Sequence, residues 1–231
     1  QEAVDFMKEV PNEHPWLGTS CCPAWSVMAK KTYPEYADCI SMALTPMVLT
    51  GRMTKKQHPD CKVVFIGPCA AKKLEASRKS VRSDIDFVLT FEEMMGIFDA
   101  KSIEFDKLET EPPLNTSSSL GKGFAASGGV AAAVVNAINC LEPDKAEGLK
   151  ECKTMLAKAK AGMYDGYLLE GMACPGGCMG GAGVLADVRK ATIGLEQQKK
   201  TSQFEKPSRS DFLKYLHLIT KEDLYKNENQ D

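Results

Sequence analysis

Three cysteine loops constrain this chain more than any other feature. They read Thr19-Ser20-Cys21-Cys22-Pro23-Ala24-Trp25, Gly67-Pro68-Cys69-Ala70-Ala71-Lys72-Lys73-Leu74-Glu75 and Glu170-Gly171-Met172-Ala173-Cys174-Pro175-Gly176-Gly177-Cys178. They lie far apart in the sequence, each beside Pro, Gly or a small residue. A fold that brings the loops together gathers four thiolates, Cys22, Cys69, Cys174 and Cys178, with Cys21 to spare. Four Cys thiolates are the ligand set of a [4Fe–4S] cluster. The two glycines between Cys174 and Cys178 let that loop curl and turn backbone N–H groups toward cluster sulfur. Zinc is the alternative reading, although structural zinc loops favour two matched Cys/His pairs; here two of the four cysteines stand alone.

The chain has 231 residues, enough for one large domain or two small lobes, with nine cysteines. An odd count at irregular spacing in a chain this long fits metal binding better than a disulfide scaffold, and so a reducing, cytoplasmic setting. Cys39, Cys61, Cys140 and Cys152 lack Gly or Pro neighbours and read as core or surface thiols. Hydrophobic content of 43% and charged content of 26% are ordinary for a globular chain. A net charge of -2 gives no electrostatic case for nucleic acid or an anionic membrane. No apolar run approaches the ~18 residues of a membrane span. The start, Gln1-Glu2-Ala3-Val4-Asp5-Phe6, resembles the middle of an amphipathic helix rather than a signal peptide, so a piece of a longer polypeptide is expected.

Helices are expected over residues 2–10, ended by Pro11, over 23–33 with Pro23 in the first turn, over 46–56, and over 91–99 with Thr90 as N-cap. Lys62-Val63-Val64-Phe65-Ile66 reads as a buried parallel strand, and Asp86 to Thr90 and Tyr167 to Glu170 as two more. Residues 110–123 read as a loop. The helix entry Ser127-Gly128-Gly129 fails the phosphate-loop pattern and reads as close backbone packing. A polar, Lys-rich stretch after Ala186 ends in an amphipathic segment over 209–225. Strands alternating with helices predict an α/β fold with parallel sheets. Ligands in such sheets collect at the carboxyl ends of strands, where Cys69 and Cys174 stand. Cys21 beside Cys22 should face away from it and could carry protons, because a thiol pKa moves with its surroundings. Lys72, about one helical turn after Cys69, could give charge and hydrogen bonds to an anionic metal ligand; otherwise it is a solvated surface lysine.

Together the loops resemble the signature of the [FeFe]-hydrogenase catalytic domain, which holds the H-cluster. The similarity runs through about residue 185. It implies an H-cluster domain over 1–185 lacking its N-terminal part, a helical extension over 186–231 packed on it, and two lobes with the metal site between them. The implied cofactor is a [4Fe–4S] cluster joined to a two-iron subcluster carrying CO, CN⁻ and azadithiolate. By this resemblance Cys22, Cys69 and Cys174 hold the cube and Cys178 bridges cube and two-iron site. Lys72 bonds a cyanide, Cys21 passes protons to the bridging amine, and Glu75, Ser41 and Asp5 continue the relay. Gly67, Pro68, Met172 and Met47 are the implied cofactor contacts. The implied reaction is reversible reduction of protons to H₂, with ferredoxin or another low-potential carrier as electron partner, and no nucleic acid or membrane.

The chain departs from the best-studied branch in several places. Gly67 replaces Met, Met47 replaces Gln, and Met179-Gly180-Gly181-Ala182-Gly183-Val184 replaces Gly-Gly-Gly-Gln-Pro. The family's upstream pocket loop has no counterpart. A non-catalytic relative, as an iron–sulfur assembly factor or a hydrogen-sensing module, and a structural zinc protein remain the rival readings.

Overall fold

The computed structural model describes residues 1–109, 116–138 and 142–225. Its strands are β1 (Leu17–Gly18), β2 (Val64–Gly67), β3 (Phe87–Thr90), β4 (Glu142–Glu147) and β5 (Tyr167–Met172). Its helices are α1 (Glu2–Glu9), α2 (Pro23–Thr32), α3 (Pro46–Gln57), α4 (Ala71–Ser77), α5 (Phe91–Ala100), α6 (Ser119–Lys122), α7 (Gly129–Ile138), α8 (Leu149–Lys160) and α9 (Val188–Lys200). The strands form two parallel sheets, one ordered β1-β5-β4 and the other β2-β3. The α/β expectation is met: parallel sheets flanked by helices.

β5 is the spine of the larger sheet. Leu17 pairs with Leu168 on one side and Glu142 with Tyr167 on the other. A central parallel strand is covered on both faces and therefore apolar. Leu169 packs on one face with Trp16, Trp25, Met155 and Leu156, so α2 and α8 cover it. Leu168 packs on the opposite face with Phe6, Leu17 and Val134, beneath α1 and α7. The smaller sheet rests on α3 through Val48, Val81, Ile85 and Val88.

Local chemistry explains the helix boundaries. Pro23 and Pro46 open α2 and α3, where a missing N–H costs nothing. Thr90 and Glu93 form a capping box on α5. The start of α7 packs against backbone as expected, since a Cβ on Gly129 would lie 1.9 Å from the Gly123 carbonyl oxygen.

Some expectations need correction. β2 is parallel but not buried: Val64 and Ile66 are 45% and 46% exposed. Among the described residues it pairs with β3 alone, and only the Phe65 and Val88 face of that pair meets the core. Within the stretch expected as loop, residues 119–122 form a helical turn, because Ser118 caps it by accepting from the Gly121 N–H; residues 110–115 lie outside the described residues. The amphipathic segment over 209–225 is built from short 3₁₀ helices, Pro207–Arg209, Asp211–Leu218 and Glu222–Leu224. β4 carried no clear signal; α8 did, in Cys152, Met155, Leu156 and Ala159 at helical spacing. β4 reads Glu-Pro-Asp-Lys-Ala-Glu and sits at a sheet edge, where Pro and charge are tolerated.

Cys39 and Cys152 are buried thiols, as expected; Cys61 is half-buried and Cys140 lies outside the described residues. Among the described residues no helix is long and apolar enough to cross a membrane.

Gly171 marks a tight joint in the core, because a Cβ there would fall 2.1 Å from the Trp25 ring. Gly171→Ala should therefore destabilise the fold by about 1–3 kcal/mol through overpacking. Gly96→Ala, in α5 with nothing within 4 Å, should be neutral or stabilising by up to about 1 kcal/mol. Denaturant midpoints at constant m-value check both.

Candidate metal centre

All three cysteine loops leave the carboxyl ends of parallel strands, where open α/β sheets place their ligands. The Cys21-Cys22 loop follows β1. Two bonds bracket it: the Thr19 N–H donates to the Leu169 carbonyl at 2.9 Å, and Trp25 Nε1–H donates to the Thr19 carbonyl at 3.1 Å. Cys22 is the N-cap of α2, in extended backbone, and its sulfur accepts the Ala173 N–H at 3.5 Å. The β1 and β5 loops thus touch directly.

Cys69 lies between β2 and α4, and its carbonyl accepts the Lys72 N–H at 3.3 Å. The Cys174 to Cys178 loop turns through Gly176 and Gly177, both at positive φ, with the Gly177 N–H on the Cys174 carbonyl at 3.1 Å. The following chain returns to the β2 loop, where the Gly183 N–H bonds the Pro68 carbonyl at 2.9 Å. A Cβ on Gly181 would lie 2.6 Å from that same oxygen.

The thiols of Cys22, Cys69, Cys174 and Cys178 feel one another. Burial pushes Cys178 up to about 11, and Cys22, Cys69 and Cys174 add to the rise while Lys72 opposes it. Burial also raises Cys174, with Cys22 and Cys69 as the next causes. Cys174 and Cys178 thus resist ionisation unless a cation joins them.

In number and kind, four Cys thiolates are the donor set of a [4Fe–4S] cube. A single tetrahedral ion needs sulfurs roughly 3.8 Å apart, given metal–sulfur bonds of about 2.3 Å. Among the described residues no three Cys, His, Asp or Glu side chains stand together as a site for a single metal ion. Beside the Cys178 loop, Ser127 Oγ is buried and has no hydrogen-bond partner among the described residues. The Ser127 nitrogen lies 3.1 Å from where a Gly177 Cβ would stand. A polar group arriving between the loops would satisfy that hydroxyl.

The spare thiol has different neighbours from Cys22. Burial raises Cys21 well above the usual thiol range; the carboxyls of Glu2 and Glu170 and the Cys22 thiol raise it further, and Lys72 lowers it. Lys72 is not a solvated surface lysine but 8% exposed. Its ammonium donates to Glu75 Oε2 at 2.7 Å and to the Cys21 carbonyl at 3.3 Å. Glu75 is fully buried and also accepts from Thr45 Oγ1 at 3.2 Å.

The remaining expected residues spread outward from there. Ser41 is buried, and its hydroxyl accepts the Ala43 N–H at 3.2 Å. Asp5 is buried on α1 and accepts from Tyr225 Oη at 2.7 Å and from Gln1 Nε2 at 2.8 Å. Met172 is buried at the end of β5, its sulfur 3.0 Å from a Gly177 Cβ position. Gly67 has no room for a side chain, since its Cβ would meet the Phe65 ring at 2.7 Å. Met47 packs into the α3 core with Leu44, Val48 and Val81.

Sequence reading passed over two acids. Glu2 accepts from both the Ser20 N–H at 2.8 Å and the Ser20 hydroxyl at 3.1 Å, and burial raises its pKa despite those bonds. Ser20 Oγ also lies 2.7 Å from the Ala43 carbonyl, so its single proton is shared between that carbonyl and Glu2, one residue pair away from Ser41. Glu170 is fully buried and caps the start of α7, accepting from the Gly128 N–H at 2.9 Å and the Ala131 N–H at 2.7 Å. An acid ending the apolar run Tyr-Leu-Leu was the signal for Glu170; a lone Glu at a helix start gave none for Glu2.

Comparison with known proteins agrees with this architecture. A family profile described as "Iron only hydrogenase large subunit, C-terminal domain" matches residues 1–182. Iron hydrogenase 1 of Clostridium pasteurianum is 30% identical over 231 aligned positions, taking in 79% of this chain and 40% of that protein. The cytosolic Fe-S cluster assembly factor NAR1 of Kluyveromyces lactis is 37% identical over 100 positions, 43% of this chain and 21% of that protein. The chain thus spans less than half the length of these two relatives. A solved variant of the [FeFe]-hydrogenase HydA1 from Chlamydomonas reinhardtii superimposes with a TM-score of 0.73 at 20% identity, covering 97% of this chain and 78% of that one. With residues 1–182 matched, this chain belongs to the family of C-terminal domains of iron-only hydrogenase large subunits.

Proposed function

We propose that the chain is the H-cluster domain of an [FeFe]-hydrogenase, catalysing 2H⁺ + 2e⁻ ⇌ H₂. One observation carries this reading: a half-buried thiol, Cys21, and a buried ammonium, Lys72, lie together beside the four-cysteine set. A cube alone needs neither. In this reading Cys22, Cys69 and Cys174 hold a [4Fe–4S] cluster and Cys178 joins it to a two-iron subcluster with CO, CN⁻ and azadithiolate. The bound H-cluster supplies the redox chemistry.

The chain's own residues do the rest. Lys72 offers donors to an anionic ligand, held in place by Glu75. Met172, Gly67 and Pro68 shape the apolar side of the pocket; Met47 supports it from the α3 core. Cys21 is neutral at physiological pH, because burial and the two carboxyls oppose the thiolate. It therefore holds a proton ready to pass on. Glu2, whose burial also favours its protonated form, is placed to reload it, with Ser20, Ser41 and Asp5 leading outward. Glu75 is committed to Lys72 and serves the relay less directly. Electrons would come from ferredoxin or a similar low-potential carrier. A cytoplasmic setting suits thiols that must stay reduced for iron.

An iron–sulfur assembly scaffold is the second reading, favoured by the local identity to NAR1. It uses the same four cysteines but gives Cys21 no task.

Two measurements test these statements. Anaerobic reconstitution should load about four irons per chain, and Cys69→Ser should lower that sharply; stoichiometric zinc without a visible charge-transfer band would overturn the cube. In matured protein Cys21→Ala should keep its iron yet lose turnover by roughly 100-fold or more, with partial rescue by Cys21→Asp. Hydrogen evolution with a chemical reductant, normalised to iron, reads the outcome; loss of iron in step with activity would make Cys21 a ligand instead.

A further inference from the structure

The family match ends at residue 182, yet the chain beyond it returns to the far end of the acid string. Residues 223–225 run as a strap across α1, α3 and the segment before α3. Four contacts pin it. The Leu44 N–H donates to the Leu224 carbonyl at 2.9 Å, and Ala43 forms an antiparallel bridge with Tyr225. Arg52, itself paired with Asp84 at 2.8 Å, donates to the Asp223 carbonyl at 2.6 Å. Lys56 pairs with the Asp223 carboxylate. These contacts place the Tyr225 hydroxyl on Asp5 Oδ1 at 2.7 Å, and Asp5 is only 5% exposed.

We propose that Tyr225 is the outermost proton-carrying group of this relay, and that the C-terminal strap closes the solvent entry to Asp5. The relay role rests on the hydrogenase reading; the closure does not. The Tyr225 hydroxyl passes its proton to the Asp5 carboxylate while its oxygen takes one from water, so no charge stays on the ring. The phenol is suited to a shuttle and not to a base: burial, the bond to Asp5 and the charges of Asp5 and Glu9 push it up to about 12, so it keeps its proton at neutral pH. The ionisable groups around this point are Asp5, Glu2 and Glu9 on α1; the Gln1 side chain bonds both Asp5 and Tyr225.

Two variants separate closure from transfer. Carbodiimide-driven coupling of an amine to Asp5, read by peptide mass spectrometry on the metal-free chain, reports access to the carboxyl. Tyr225→Ala should raise labelling of Asp5 several-fold, whereas Tyr225→Phe, which keeps the ring, should label like the unaltered chain. In matured protein Tyr225→Phe should keep full iron content but slow hydrogen evolution several-fold, and Glu222→Gln on the same strap should not. Unchanged labelling in Tyr225→Ala would overturn the closure, and unchanged turnover in Tyr225→Phe would overturn the transfer. An unaltered protein that loads iron but evolves no hydrogen would count against the hydrogenase reading and the transfer, leaving the closure to the labelling alone.

Discussion

The burial of β5 on both faces is the constraint on which the rest depends. Leu168 and Leu169 point into separate cores, so the strand cannot shift or twist without exposing one of them. That fixed strand delivers Glu170 to the start of α7 and carries Cys174 and Cys178 just past its end. Through Gly171 it also lets Trp25 approach closely, and Trp25 in turn ties down the loop that bears Cys21 and Cys22. One strand therefore sets the positions of four of the five cysteines.

Charge is handled by pairing rather than exposure. Lys72 and Glu75 are both buried and neutralise each other. Such a pair seldom adds net stability, and its usual value is a defined geometry. Here it holds an ammonium at the edge of four thiols. Glu2 and Glu170 also act on Cys21, so the thiol feels two carboxyls and one ammonium. That arrangement keeps a proton on sulfur, which suits a donor and not a nucleophile.

Much of this was legible in the sequence because its signals were local. The Pro at the first turn of α2, the Thr90 capping box and the apolar run into Cys174 each encode their own structure. The cysteine loops were legible because Gly and Pro flank them at strand ends. What stayed hidden depends on partners remote in sequence. β4 is a strand only because β5 pairs with it, and its own residues are polar. The exposure of β2 follows from the single-sided pairing with β3, which no residue of β2 records. Glu2 gains its raised pKa from burial in the surrounding core, against the lowering effect of the Ser20 bonds, and Tyr225 gains its place from contacts with residues about 170 to 220 positions away along the chain.

Infrared spectroscopy of protein matured with a complete cofactor tests the central claim most directly. CO and CN⁻ stretches fall where protein has no absorption of its own. An H-cluster in this site predicts sharp bands of both kinds in iron-loaded protein, with the CN⁻ bands displaced in Lys72→Met. Protein that carries its cube but shows neither CO nor CN⁻ bands would contradict that claim and favour a cluster scaffold.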